Sequence, residues 1–230
     1  HPALSKHLKS RAEVAKILSS GKVPVTAFRA AMVIGSGSAS FEILRYLVDR
    51  LPLMITPRWL ETPNQPIAIR NVIEYLAACL ESPETLGKTF DIGGAEVLTY
   101  RSLMEIYAEE AKLPKRWVIP VPVLTPRLSS YWIHLVTPVP ASIARPLAEG
   151  LRNPVVCQND EIRKIVKQEI LTPREAIRRA LKGLNQNEMR SHWTDAGAMP
   201  PMESLYVGDP KWAGGTRFDD KRTVEIAAPA

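Results

Sequence analysis

Cysteine is almost missing from this chain: Cys79 and Cys157 stand alone and far apart. That argues against a disulfide framework and a zinc site, so no metal is expected, and it fits a reducing compartment. Cys79 falls inside an apolar helical pattern and is expected to be a small core residue. Long apolar runs are missing too. The nearest, Tyr131–Val139, is broken by His134 and Pro138 and followed by Pro140, far short of the ~18 residues of a membrane span. The opening HPALSKHLKSR has no apolar stretch of a secretory signal. A soluble, cytoplasmic protein with no membrane partner in this stretch is expected.

Neither sign of charge is scarce. Lys and Arg number 30 against 24 Asp and Glu, a net charge of +6. Nucleic-acid binders concentrate such an excess in a stripe. Here the cations are scattered, and the mild enrichment from Arg163 to Lys182 has Glu161, Glu169 and Glu175 among or beside it. A solvated helix face accounts for it, and no nucleic-acid partner is expected. At 230 residues and 45% hydrophobic content, a sizeable core in one or two domains can form.

Apolar spacing sets the elements. Leu4, Leu8, Ala15 and Leu18 recur at helical intervals, closed by Ser19-Ser20-Gly21. The run from Val25 to Ile34 reads as a strand covered on both faces. A helix is predicted over Phe41–Leu51, ended by Pro52, and a short strand over Leu53–Ile55. Gln65–Ile69 is extended, and Val72–Leu80 is a helix with Asn71 and Glu74 spaced as a capping box. Thr89–Ile92 is a strand released by Gly93-Gly94, and Tyr100–Lys112 a helix capped by Thr99. Trp117–Ile119 enters a proline-rich region, Pro114–Pro146, in which Leu128–Val136 and Ile143–Leu151 form at most short helices. Thr172-Pro173-Arg174-Glu175 is a helix start with cap, proline and box in place. Asn185–Pro201 reads as a linker, and Lys211–Val224 as the start of a further module.

Strands alternating with helices predict an α/β fold. A family resemblance carried by the motifs implies, more narrowly, the carboxyl-terminal portion of a Rossmann-type doubly wound parallel sheet with a smaller substrate-covering region. The division expected is 1–113 for the sheet domain with its substrate-side insertions, 114–184 for the proline-rich and helical cover, and 185–230 for the linker and truncated module. The chain begins at His1 and ends at Ala230, and a fragment at both ends is expected.

His7 and Arg11 are four apart and share a helical face. A guanidinium beside an imidazole lowers its proton affinity, as a general base near neutrality requires. Two solvated polar residues at a helix start are the plainer reading.

Ser10-Arg11-Ala12-Glu13-Val14-Ala15-Lys16, then Val23-Pro24-Val25-Thr26-Ala27-Phe28-Arg29-Ala30-Ala31-Met32-Val33-Ile34-Gly35, resembles the extended and atypical short-chain dehydrogenase/reductases, in particular the epimerase/dehydratase-like and NmrA-like NAD(P)-binding members. Gln65–Val72, and Thr89–Gly94 with Leu98-Thr99-Tyr100, continue the likeness, which covers about residues 4 to 183. The resemblance implies NADP or NAD as cofactor in the intact protein and a small-molecule substrate. The family's catalytic Tyr falls on His7 and its Lys on Arg11. His7 and Arg11 are therefore the catalytic candidates, with Arg11 also available to a ribose or phosphate. Ala30 and Val33 align with positions that lean on the nicotinamide, though plain strand core explains them as well.

The family's phosphate-gripping glycine loop has no counterpart here. Gly35-Ser36-Gly37-Ser38 does not replace it, since it lies where relatives line the substrate cleft. Gly35, Ser36 and Gln65 are the substrate-side candidates, with a simple flexible turn as the alternative for the first two. Arg58, Trp59 and Arg70 lie in the segment that covers the pocket in relatives. Arg127, Tyr131, Trp132, His134 and Arg145 form either a pocket roof or packing. Two functions follow: an oxidoreductase, epimerase or dehydratase, or a non-catalytic NAD(P)-binding sensor or assembly protein. Substrate, cofactor preference and oligomeric state are not legible.

Overall fold

In a computed structural model of the chain, residues 6–121 and 133–185 are described, the side chains of residues 6, 7, 58, 59, 184 and 185 excepted. They fall within one compact unit. The expected linker and further module lie outside the described residues, as do Arg127, Tyr131 and Trp132.

Helix α1, Lys6–Ser19, leads to strand β1, Ala27–Ala30, and β2, Val33–Ile34. Helix α2, Ala39–Arg50, precedes β3, Leu53–Pro57. Strands β4, Pro63–Asn64, and β5, Ile67–Ala68, run directly into α3, Ile69–Cys79. Then come β6, Thr89–Ile92, β7, Leu98–Thr99, α4, Tyr100–Glu110, and β8, Trp117–Val121. Helices α5, Ala141–Gly150, α6, Glu161–Ile165, and α7, Pro173–Asn185, complete the unit.

The predicted α/β class holds. Three strand pairs are parallel, β1 with β6, β2 with β5 and β3 with β8, and one, β4 with β7, is antiparallel. The single strand expected over 25–34 is instead two, broken at Ala31-Met32, and each half pairs with a different partner. Nor is β1 covered on both faces. Phe28 packs against Tyr75 and Phe90, whereas the Arg29 side chain on the other face is 64% exposed.

Two apolar clusters hold the unit. One gathers Phe41, Leu44 and Val48 of α2, Leu103 and Tyr107 of α4, and Ile177 of α7. The other, under α3, joins Tyr75, Phe90, Ile92, Ile162 and Val166. Fixed polar contacts tie the helices. Tyr107 donates to Asp49 at 3.0 Å, and buried Glu42 accepts from Arg45 Nε at 2.9 Å and from the Gly37 amide at 3.3 Å. Thr99 caps α4 by accepting from Ser102 N. Thr172 and Glu175 form the reciprocal box at the start of α7, Thr172 N donating to Glu175 and Glu175 N to Thr172 Oγ1.

The expected box at Asn71 does not form. Helix α3 starts earlier, with Ala68 as its cap residue, and Asn71 is fully buried one turn in. Its side chain donates to Gln168 Oε1 and the Glu169 carbonyl, at 2.6 and 2.7 Å, and accepts from Leu171 N at 3.1 Å. A distant segment uses the side chain that local spacing assigned to a cap. Cys79 is partly exposed, not a core residue, because it sits at the last turn of α3.

Candidate functional site

Strands β1 and β6 lie in parallel register with Arg29 opposite Asp91. Arg29 Nε donates to Asp91 Oδ1 at 2.7 Å, and Asp91 Oδ2 accepts the Gln158 amide at 2.9 Å. Both carboxylate oxygens are thus engaged, one by a cation on the neighbouring strand and one by the segment after α5.

At the carboxyl end of β6 the chain turns at Gly93-Gly94 in close quarters. A Cβ on Gly93 would stand 2.6 Å from Cys157 Sγ and 2.7 Å from Gln65 Cδ, and one on Gly94 would overlap the Pro66 carbonyl oxygen. The missing side chains let Gln65 Nε2 donate to the Gly94 carbonyl at 2.9 Å, while Gln65 Oε1 accepts from Cys157 N at 3.0 Å. From α6, Arg163 donates to the carbonyls of Gly93 and Gly94 at 3.0 and 2.9 Å. Gln65, Asp91, Cys157, Asn159, Asp160 and Arg163 line a polar cavity of about 340 Å³. A second cavity, about 390 Å³, lies between Tyr75, Arg163, Val166, Lys167 and Gln168.

Burial pushes the Cys157 thiol up from its ordinary value, with Asp91 adding to the effect and Arg163 opposing it. It is held as a thiol, a poor nucleophile at neutral pH. Burial likewise raises the Tyr75 phenol, against the lowering influence of Arg163. Asp91 and Gln65 are committed to internal bonds and Asp160 pairs with Lys164 at 3.6 Å, which leaves Asn159 and the remaining donors of Arg163 for a bound polar molecule. This arrangement suits orientation of a polar ligand better than covalent attack. Among the described residues no cluster of three or more His, Cys, Asp or Glu is placed to hold a metal.

The sequence candidates are dispersed. The backbone of His7 belongs to α1, but its side chain lies outside the described residues, and Arg11 is exposed on the same helix. Ala30, at the end of β1, is exposed, and Val33 is half-buried opposite Ile67. Gly35 is buried where a Cβ would stand 2.7 Å from Ile69 Cγ2. Ser36 donates to the Ala180 carbonyl at 2.9 Å, which ties the turn after β2 to α7. Gln65 is the one candidate that lines the cavity. The side chains of Arg58 and Trp59 lie outside the described residues. Arg70 is exposed near Glu74, Arg145 pairs with Glu149 at 3.3 Å, and His134 is exposed.

Sequence reasoning missed Arg29, Asp91, Cys157 and Arg163. A signal was present: two strands flanking an apolar helix, each with one charged residue at its third position, place those residues side by side once they pair in parallel.

No family model and no curated protein sequence matches this chain. Solved structures do. The chain is similar to a nucleoside-diphosphate-sugar epimerase from Staphylococcus aureus at 15% identity and a TM-score of 0.55, over 73% of this chain and 56% of that one. It is similar to a UDP-glucose 4-epimerase from Thermotoga maritima, solved with UDP-glucose, at 11% identity and a TM-score of 0.53, over 79% and 52%. It is also similar to a UDP-glucuronic acid 4-epimerase from Bacillus cereus, solved with UDP-glucuronic acid and NAD, at 11% identity and a TM-score of 0.51, over 76% and 50%. The chain spans about half the length of these structures. At such identities the likeness is one of fold: a Rossmann-like α/β arrangement. Among the described residues no helix is long and apolar enough to cross a membrane.

Proposed function

We propose that these residues supply the substrate-facing, carboxyl-terminal part of an NAD(P)-dependent enzyme of the epimerase/dehydratase-like short-chain type, acting on a polar small molecule. One observation carries the reading. Strand β1, crossover helix α3 and strand β6 form a parallel unit, and Gln65, Gly93-Gly94 and Arg163 gather at its carboxyl end around a polar cavity. Open α/β sheets bind ligands outside the carboxyl ends of their strands. The likeness in fold to epimerases solved with nucleotide sugars and NAD adds support.

In this reading the cofactor supplies hydride transfer. Gln65 and Arg163 fix the shape of the loop after β6, and Asn159 and Arg163 orient the substrate. His7 and Arg11 take the roles that the short-chain enzymes give to Tyr and Lys, His7 exchanging a proton with the substrate oxygen and Arg11 bonding the ribose. The test is a metabolite screen for nicotinamide-linked turnover by the natural protein that carries these residues. His7→Ala should then lower turnover by at least ~10²-fold with cofactor affinity unchanged. Equal turnover in the variant contradicts the catalytic assignment.

A second reading has its own observation. Asp91 and Gln65 are engaged by internal bonds, and the Cys157 thiol is held protonated, as in a site that binds without reacting. That fits a non-catalytic NAD(P)-binding sensor of the NmrA-like kind. It is favoured if the natural protein binds a nicotinamide cofactor, turns over nothing in the screen, and recovers a protein partner only when cofactor is present.

A further inference from the structure

Tyr75 is fully buried, yet its phenol oxygen has no hydrogen-bond partner among the described residues. Tyr107, buried as deeply, donates to Asp49. A buried hydroxyl without a partner carries a cost that phenylalanine at the same place would not. Burial raises the proton affinity of this phenol, while Arg163 and Gln168 lower it, which places both beside the oxygen. All three line the cavity of about 390 Å³.

That cavity shares only Arg163 with the polar one at the Gly93-Gly94 turn. Its lining comes from α3 and from one continuous run, residues 163–170. Most of the polar groups there are already engaged. Asn71 takes both ends of the Gln168 amide and the Glu169 carbonyl. Arg163 Nη2 holds the Gly93 and Gly94 carbonyls, which leaves its Nε and Nη1. Lys167, exposed, adds a second cation four residues on. The Glu169 carboxylate opposes the two cations, but its side chain is exposed to water. Three donor side chains, two of them cationic, thus border one cavity beside the apolar Val166 and Ile170. Charged donors next to a hydroxyl suit an oxyanion, and the apolar side chains suit a hydrocarbon body.

We propose that this cavity binds a small organic carboxylate, held by the Tyr75 hydroxyl, Arg163 and Lys167, with its hydrocarbon part against Val166 and Ile170. The site is separate from the substrate site proposed above and does not rest on that reading.

Saturation-transfer difference NMR of benzoate with the natural protein that carries these residues, titrated at constant ionic strength, tests this. Saturable binding with a dissociation constant of about 1 mM is expected. Tyr75→Phe should weaken it about tenfold or more with no loss of thermal stability, and Lys167→Gln about threefold. Tyr75 borders this cavity and not the one at the glycine turn, so its variant separates binding here from binding there. Inorganic phosphate, which has no apolar part, should compete poorly. A signal that rises without saturating overturns the proposal, as does equal affinity in the natural protein and in Tyr75→Phe. Phosphate competing as well as benzoate overturns the assignment to an organic carboxylate. Unfolding of Tyr75→Phe overturns it too, since the hydroxyl would then serve the fold, and unchanged affinity in Lys167→Gln, altered at an exposed residue, counts against it independently of folding.

Discussion

Asn71 and Gln168 hold each other across 97 residues of sequence. The Asn71 amide donates to Gln168 Oε1 at 2.6 Å, and Gln168 Nε2 donates back to the Asn71 carbonyl at 3.2 Å. Because Asn71 also takes the Leu171 amide, one buried side chain sets where the segment between α6 and α7 lies. Asn71→Leu leaves that amide and the Glu169 carbonyl without partners. A loss of about 2–4 kcal/mol is expected in urea unfolding. A change below about 0.5 kcal/mol would mean that the loop is held by other contacts.

The two glycines that matter most fail for different reasons. Gly94→Ala forces a methyl into the Pro66 carbonyl, so backbone must move and the Gln65 bond to Gly94 is disturbed. A cost above about 2 kcal/mol is expected. Gly87 has φ of +72° with open space around it, so Gly87→Ala should cost about 1–2 kcal/mol through backbone strain alone. Thermal melts of the two variants rank them. Equal costs would remove the argument for close packing at the Gly93-Gly94 turn.

Glu42, 1% exposed, is matched by Arg45 from the next turn and by the Gly37 amide. Arg45→Met strands a buried carboxylate and should cost about 3–5 kcal/mol. Changing both residues to apolar ones of similar size should recover much of that loss. A double-mutant cycle by denaturant unfolding reads the difference, and a harmless Arg45→Met contradicts it.

Alkaline pH should loosen the contact between α2 and α4. Burial first, and Asp49 second, push the Tyr107 phenol well above its ordinary value of 10.0, and burial does the same to Tyr100. The folded state holds these protons more tightly than the unfolded one. Their contribution is therefore complete below about pH 10 and is lost as pH rises past that ordinary value toward the raised one. Tyr107→Phe should lower stability at pH 7, through loss of the bond to Asp49, yet flatten the decline above pH 10. A decline of the same slope in the variant would assign it to other groups.

What the sequence made legible was local. Thr99, and Thr172 with Glu175, act on amides three residues away, so spacing alone identifies them as caps. The apolar runs that became β1, β5, β6 and β8 announce themselves because parallel strands are bought with hydrophobic residues. Asn71 looked like a cap too, but its partners are a hundred residues downstream, and no local pattern carries that. The same holds for the site. Gln65 was named through family resemblance, while Arg29, Asp91, Cys157 and Arg163 meet only after β1 and β6 pair and the segment from 155 to 163 crosses them. Ser36, expected toward substrate, turned out to serve a carbonyl of α7, which lies 144 residues away.

The most direct measurement is a calorimetric titration of NADPH and NADH into the natural protein that carries these residues. Saturable one-to-one binding in the micromolar range is expected, weakened by Arg11→Ala. A folded protein that shows no heat of binding with either nucleotide up to millimolar concentration would contradict the assignment of this sheet to a dinucleotide site.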